Sequence, residues 1–369
     1  MVAGTKLVDL VQDRIAALLA ERRRDLLEVA PDLEVVADAA DDFLDGGKRF
    51  RARFCYWGWR SVAGIAGADD ADPEELGLDV VVDVAAALEV FHAAALVHDD
   101  IMDNSDRRRG KPSAHAAFAE HHRRQGWEGS AVDYGAATAL LLGDLLLGWS
   151  DDLIEAGIRR LPVADRDATR SEFSRMRTQV TAGQYLDMVE ESSWRTRESA
   201  ELLPRAQRVV VFKSAKYSVE APLAIGASIA GGSREQIAAL RAFGLPLGVA
   251  FQLRDDLLGV FGDPEVTGKP AGDDLREGKR TVLVTLARER LPSTAAHLFD
   301  ELVGDRTLDG SQITMLQTAI RDSGAVERVE QAIAHHVGQA RAALAEAPLA
   351  RSARDELAAL AEQVARRDS

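Results

Sequence analysis

Apolar residues recur every three to four positions along most of the chain, the spacing of helices that each bury one face. The pattern predicts helices over Lys6–Glu28, Leu33–Asp42, Arg51–Ala66, Glu74–Asp103, Ala114–His121, Tyr134–Gly157, Asp165–Val189, Ala200–Ile229 and Arg234–Phe261, with further amphipathic stretches from Arg280 to Ser369. Alternation of apolar and β-branched residues, the mark of strands, is scarce. Val80–Val97 and Tyr134–Leu147 are apolar on nearly every side, which predicts a place in the centre of a bundle. Loops are expected at Asp45–Lys48, Ser105–Pro112, Arg124–Asp133, Ser192–Arg197 and Asp263–Lys279. Most of them carry paired glycines, basic clusters or acidic pairs. The expected fold is all-α, a single-domain bundle of about ten or more helices over residues 1–369 around a central cavity, with its chemistry at one end.

Composition narrows the function. Hydrophobic residues make up 46% of the 369 and aromatics only 5%, with alanine and leucine dominant, which suits helices and a sizeable core. The net charge of −15 argues against a general nucleic-acid or anionic-membrane binder, so any phosphate site must rest on local basic residues or metal ions. Cys55 is the only cysteine, which rules out an intramolecular disulfide and fits a reducing compartment. The first residues, MVAGTKLVDLVQDR, lack a signal-peptide layout. The most apolar run, Val80–Val97, is interrupted by Asp83, Glu89 and His92, so no membrane span is expected. These features together predict a soluble cytoplasmic enzyme.

The strongest chemical signal is HDDIMDNSDRRRGKP, His98–Pro112. Asp99 and Asp103 are four apart and share a helix face, while Asp100 is rotated away and better placed to support a ligand than to be one. Two carboxylates at the end of an apolar helix repel unless they share a cation, and hard oxygen donors with open positions suit magnesium. Arg107, Arg108 and Arg109 follow, and guanidinium forks match phosphate oxygens. Alone, this segment also reads as a solvated helix end. A second segment, FQLRDDLLGVFGD over Phe251–Asp263, again ends an apolar helix in Asp255 and Asp256, and GKPAGDDLREGKRT follows from Gly268 to Thr281. Carboxylates, then a glycine-bearing loop, then basic residues thus occur twice.

These motifs resemble those of the trans-isoprenyl diphosphate synthases, the polyprenyl synthetase family, from Gly46 to about Thr281. Asp99-Asp100-x-x-Asp103 is similar to the family's first aspartate-rich motif and Asp255-Asp256 to its second. Gly46-Gly47-Lys48-Arg49-Phe50-Arg51 resembles its early glycine-lysine-arginine segment, and His92 stands seven before Asp99 like its substrate histidine. Arg108-Arg109-Gly110, Gly183-Gln184 with Asp187, and Lys213-Ser214 resemble its arginine pair, its mid-chain motif and its lysine-threonine pair, the last with serine in place of threonine. One departure is Gly259, where the second motif usually ends in a third aspartate; it leaves Asp256 and Asp263 open as ligands.

The resemblance implies an all-helical homodimer with three Mg2+ ions. It implies that Asp99, Asp103 and Asp255 bind metal, and that Arg108, Lys213, Lys269 and Lys279 hold the allylic diphosphate. Lys48, Arg51, His92 and Arg109 would hold the diphosphate of isopentenyl diphosphate. Backbone carbonyls near Lys213 and Ser214, with the Gln252 side chain, would steady an allylic cation. Without the family, His92 would read as a hydrogen-bonded core histidine, Lys48 and Arg51 as a helix start, and Gln184 with Asp187 as a polar helix face.

The reaction so implied condenses isopentenyl diphosphate with an allylic diphosphate (dimethylallyl, geranyl or farnesyl). Metal ions and arginines stabilise the leaving diphosphate, and apolar helices exclude water. Product length is expected to depend on Ala95, one turn before Asp99, and its neighbour Ala94, which leave a passage open. Phe91, about 12 Å along the axis from Asp99, is a candidate floor, and Leu140–Leu147 with Trp149 are further candidates to close the passage. The expected product is geranylgeranyl diphosphate, with farnesyl or longer polyprenyl products as alternatives. A class I terpene cyclase, a non-catalytic partner subunit and a helical binding module are the remaining rivals.

Overall fold

The computed structural model describes residues 2–66, 77–263 and 271–365. Those residues are almost entirely helical, as the periodicity predicts. In chain order the main helices are α1 (Val2–Val29), α2 (Glu34–Leu44), α3 (Phe50–Ala66), α4 (Leu78–Met102), α5 (Ala114–Gln125), α6 (Ala131–Ile158), α7 (Val163–Ser193), α8 (Ser199–Val209), α9 (Ala221–Ile229) and α10 (Arg234–Phe261). After them come α11 (Asp273–Glu277), α12 (Val282–Arg290), α13 (Ser293–Leu302), α14 (Gly310–Asp322), α15 (Ala325–Ala345) and α16 (Arg351–Ala365). Between α4 and α5 the predicted loop contains a two-stranded hairpin, β1 (Arg107–Arg108) and β2 (Lys111–Pro112).

The chain divides into two compact units. The first comprises Met1–Glu172, Pro222–Ile237 and Leu349–Ala353. Its centre is α4, which packs against α1, α3 and α6. Val80, Val81, Val84, Leu88, Val90, Phe91, Ala94 and Val97 are all buried, as an all-round apolar helix requires. The polar residues inside α4 are buried only with partners, because an unpaired buried charge is costly. Asp83 accepts from Arg14 at 2.5 Å and from Arg160. Glu89 accepts from the Ala52 backbone N–H at 3.0 Å and pairs with Arg49 at 3.6 Å.

The prediction for Tyr134–Leu147 needs correction. Within α6, Leu142, Leu146 and Trp149 are buried, but Leu140 and Leu141 are 50% and 62% exposed. The helix presents an outward apolar face instead of lying at the centre. Expectations about membrane spans also shift. By length and composition α4, α6 and α10 could each cross a bilayer, but 83% of the most apolar window of α4 is buried in protein.

The second unit comprises Phe173–Ala221, Ala238–Pro348 and Arg354–Ser369. Its core helix is α12, buried from Val282 to Ala287 and packed on α8, α14 and α15. Thr281 caps its start by accepting from the Val284 N–H, and Asp309 with Gln312 forms a capping box on α14. Arg254 grips Glu330 through both guanidinium nitrogens at 2.5 and 2.7 Å, and Gln317 donates to the Val260 carbonyl at 2.7 Å, which ties α10 to α15 and α14. The predicted helix Ala200–Ile229 is interrupted by a π-helical segment, Val210–Glu220. Apolar periodicity over eleven residues does not separate 3.6 from about 4.4 residues per turn, so the sequence reads as plain helix.

Candidate active site

In the first unit, α4 delivers the leading carboxylates and the hairpin delivers the arginines. Asp99 lies in the last turn of α4, and Asp103 caps it with its N–H bonded to the Asp99 carbonyl. The hairpin pairs Arg108 with Lys111, so Arg109 and Gly110 form a two-residue turn. Both have positive φ, 52° and 78°, as a type I′ turn demands. The turn splits the neighbouring arginines. Arg108 turns back to Asp100, which is fully buried, and reaches Asp99 at 3.4 Å. Asp100 therefore supports Arg108, and the repulsion expected at the helix end is relieved by this arginine. Arg109 instead lies 3.5 Å from the position a Cβ would occupy on Gly47.

The Gly46–Arg51 loop is shaped by left-handed residues, Gly46 at 64°, Gly47 at 98° and Arg49 at 48°. Arg49 is buried and donates to Gln12 and to the Leu44 carbonyl. Its pairing with Glu89, whose other contact is the Ala52 N–H, fixes the start of α3 and with it Arg51. Lys48 is exposed. Burial, and then the charges of Arg51, Arg109, Arg108 and Arg49, hold the His92 pKa well below the usual histidine value, so the ring is neutral at pH 7. Arg51 and Arg109 thus make a cationic neighbourhood around a neutral His92, distinct from the carboxylates that Arg108 joins. Sequence reasoning missed Glu89 and Arg49; an acid in the middle of an apolar helix was the signal.

In the second unit the π-helical segment carries Lys213 and Ser214. A Cβ on Gly183 would lie 2.3 Å from the Lys213 backbone nitrogen, and one on Gly248 would lie 2.5 Å from the Ala215 carbonyl oxygen. Two glycines on α7 and α10 thus let the segment pack closely on both helices. Lys213 donates to Asp187 at 2.5 Å. Gln184 is on the same helix turn as Asp187.

On α10, Gln252 donates its amide to Asp256 at 2.8 Å. Burial pushes the Asp256 carboxyl up to about 8, and the nearby charges of Asp274, Asp255 and Asp187 add to the effect against the opposing Gln252 hydrogen bond. Asp256 is therefore protonated at neutral pH, and Asp255 beside it is half-buried. Asp263 is exposed just past the helix. A Cβ on Gly259 would lie 1.9 Å from Asp274 Oδ2, so the Asp274 carboxylate fills the space beside the glycine. Lys279 pairs with Glu277 at 2.7 Å and reaches Asp274 at 3.8 Å. Lys269 falls outside the described residues.

Phe91 and Ala94 are buried, at 5% and 0% exposed, whereas Ala95 is half-buried. The donor chemistry fits magnesium. Among the described residues no three His, Cys, Asp or Glu side chains gather to enclose an ion. Magnesium needs no such cage, because it keeps waters and takes phosphate oxygens beside one or two carboxylates.

Known proteins share this fold. A geranylgeranyl pyrophosphate synthase from Corynebacterium glutamicum, solved with isoprenyl diphosphate and magnesium, is 38% identical, with a TM-score of 0.90 over 98% of this chain and 99% of that one. A geranylfarnesyl diphosphate synthase of Aeropyrum pernix is 32% identical over 305 residues, 82% of this chain and 84% of that protein. A geranylgeranyl diphosphate synthase of Mycobacterium tuberculosis is 30% identical over 319 residues, 81% of this chain and 77% of its own length. Residues 33–320 match the polyprenyl synthetase family, and with that match the fold and the relatives agree: the chain belongs to the polyprenyl synthetase family.

Proposed function

We propose that the protein is a magnesium-dependent prenyltransferase that condenses isopentenyl diphosphate with an allylic diphosphate, giving geranylgeranyl diphosphate. The observation that carries this reading is the division of Arg108 and Arg109. One joins the carboxylates of α4, and the other joins Gly47, Arg51 and His92. Adjacent arginines serving two separate neighbourhoods, one lined by carboxylates and one by other arginines, suit a reaction between two diphosphates. A terpene cyclase, which handles one, has no use for the second set.

Bound magnesium, three ions by analogy with the family, would neutralise the charge growing on the departing diphosphate. Asp99, Asp103 and Asp255 would hold it, and Arg108, Lys213, Lys269 and Lys279 would orient the allylic diphosphate. Lys48, Arg51, Arg109 and the neutral His92 would hold isopentenyl diphosphate, the imidazole as a hydrogen-bond donor rather than a cation. The allylic C–O bond breaks with its electron pair leaving on the diphosphate, and the double bond of isopentenyl diphosphate then closes on the allylic carbon. A proton lost to the released diphosphate restores a double bond. Lys213 and Ser214 lie in the π-helical segment, whose carbonyls, with the Gln252 side chain, are our candidates for steadying the cation.

Ala95 keeps exposed surface on the helix that carries Asp99, which supports an open passage for a growing chain. We read the protein as a cytoplasmic homodimer. The outward leucines of α6 support this, since covering the exposed halves of Leu140 and Leu141 would contribute roughly 2–3 kcal/mol per subunit.

The test is metal-dependent turnover. Labelled isopentenyl diphosphate should be incorporated with an allylic primer in magnesium and not in excess chelator. Asp99→Ala and Asp103→Ala should each lose at least about 100-fold in turnover while retaining their helical circular dichroism. Near-normal rates in both variants would overturn the metal assignment.

A further inference from the structure

His98 stands immediately before the first metal-binding carboxylate and has no part in the reaction described above. Its imidazole lies over α6. Nε2 is 3.3 Å from the Leu140 carbonyl oxygen and 3.6 Å from Asp144 Oδ1. Both neighbours only accept hydrogen bonds, so the arrangement requires the ring proton on Nε2. The ring reaches this place because residue 143 is glycine. A Cβ there would lie 2.2 Å from Nε2 and 2.5 Å from Cδ2, so any other residue would expel it.

The location gives the contact its meaning. Asp99 and Asp103 sit on the last turn of α4, where a helix has lost its onward hydrogen bonds and frays unless tied. One tie is visible on Asp100, through Arg108. His98 is a second, on the neighbouring side, and its partner is a carbonyl of a different helix.

We propose that His98 is a positioning residue: its Nε2–H bond to the Leu140 carbonyl clamps the last turn of α4 onto α6 and fixes the angle at which Asp99 and Asp103 present their oxygens. This rests on the reading that those carboxylates bind magnesium. Magnesium tolerates little departure from octahedral geometry, so a loosened turn weakens binding even when both ligands remain.

The test measures metal binding apart from turnover. Free Mn2+ is followed by its electron paramagnetic resonance signal as protein is added in the presence of inorganic pyrophosphate. His98→Phe fills the same space without a donor, and His98→Gln keeps an N–H at similar reach. Gly143→Ala keeps the histidine but takes its place. His98→Phe and Gly143→Ala should bind Mn2+ about tenfold more weakly, with kcat falling and KM for isopentenyl diphosphate changing less than about twofold; His98→Gln should stay within about twofold of wild type. The partial exposure of the ring leaves room for Phe, and helical circular dichroism confirms folding of each variant. Wild-type affinity in His98→Phe overturns the proposal, as does a loss in His98→Gln equal to that in His98→Phe. Should the wild-type protein bind no Mn2+ with pyrophosphate, the metal assignment falls and the proposal with it.

Discussion

At position 259 a side chain and a neighbouring carboxylate compete for one space. Glycine there concedes it to Asp274, which lies within reach of Lys279 and near Asp256. Gly259→Ala should therefore push Asp274 aside, lower stability by about 1–3 kcal/mol in urea melts and raise KM for the allylic diphosphate. A variant with unchanged KM would show that Asp274 does not organise this end of α10. His92 offers a second residue-scale test. Its folded pKa is depressed, while in the unfolded chain it titrates near 6.5. Below about pH 6.5 the unfolded state therefore binds the extra proton, and the folded state loses stability as pH falls. Relative to His92→Gln, the metal-free wild type should lose melting temperature as pH drops from 7 to 5; parallel curves would contradict a ring held neutral in the folded state.

At the scale of elements, the π-helical segment depends on glycines of two neighbouring helices. Gly183→Ala would place a methyl 2.3 Å from the Lys213 nitrogen and displace the backbone that carries Lys213 and Ser214. The expected cost is about 1–3 kcal/mol of stability. Lower kcat and weaker allylic binding should accompany it, read from thermal melts and steady-state kinetics. The helices themselves were legible because their signal is local and periodic. The DDxxD-type motifs were legible for the same reason, since ligands four apart need no tertiary information to share a face. What escaped the sequence is contact across long separations: Glu89 with Arg49, Lys213 with Asp187, Asp274 beside Gly259. The π geometry escaped because its apolar spacing passes for a helix. The hairpin had a local cue, a glycine after the arginine pair, but two residues per strand are too few for a visible alternation.

At the scale of the whole molecule, the net charge argues against a general nucleic-acid binder, and the apolar length of α6 misled. All-round apolarity describes both a central helix and one with an outward apolar face, and the exposure of Leu140 and Leu141 separates the two. Product length is the other whole-molecule property. Ala95, not Ala94, is the alanine with surface to spare, so Ala95→Phe should shift products toward farnesyl diphosphate; an unchanged profile would show that this face does not line the passage. The most direct measurement is incubation of the purified protein with magnesium, labelled isopentenyl diphosphate and farnesyl diphosphate, followed by chromatography of the dephosphorylated products. The account predicts a geranylgeraniol peak that vanishes with chelator, and a protein that extends no allylic primer would contradict it.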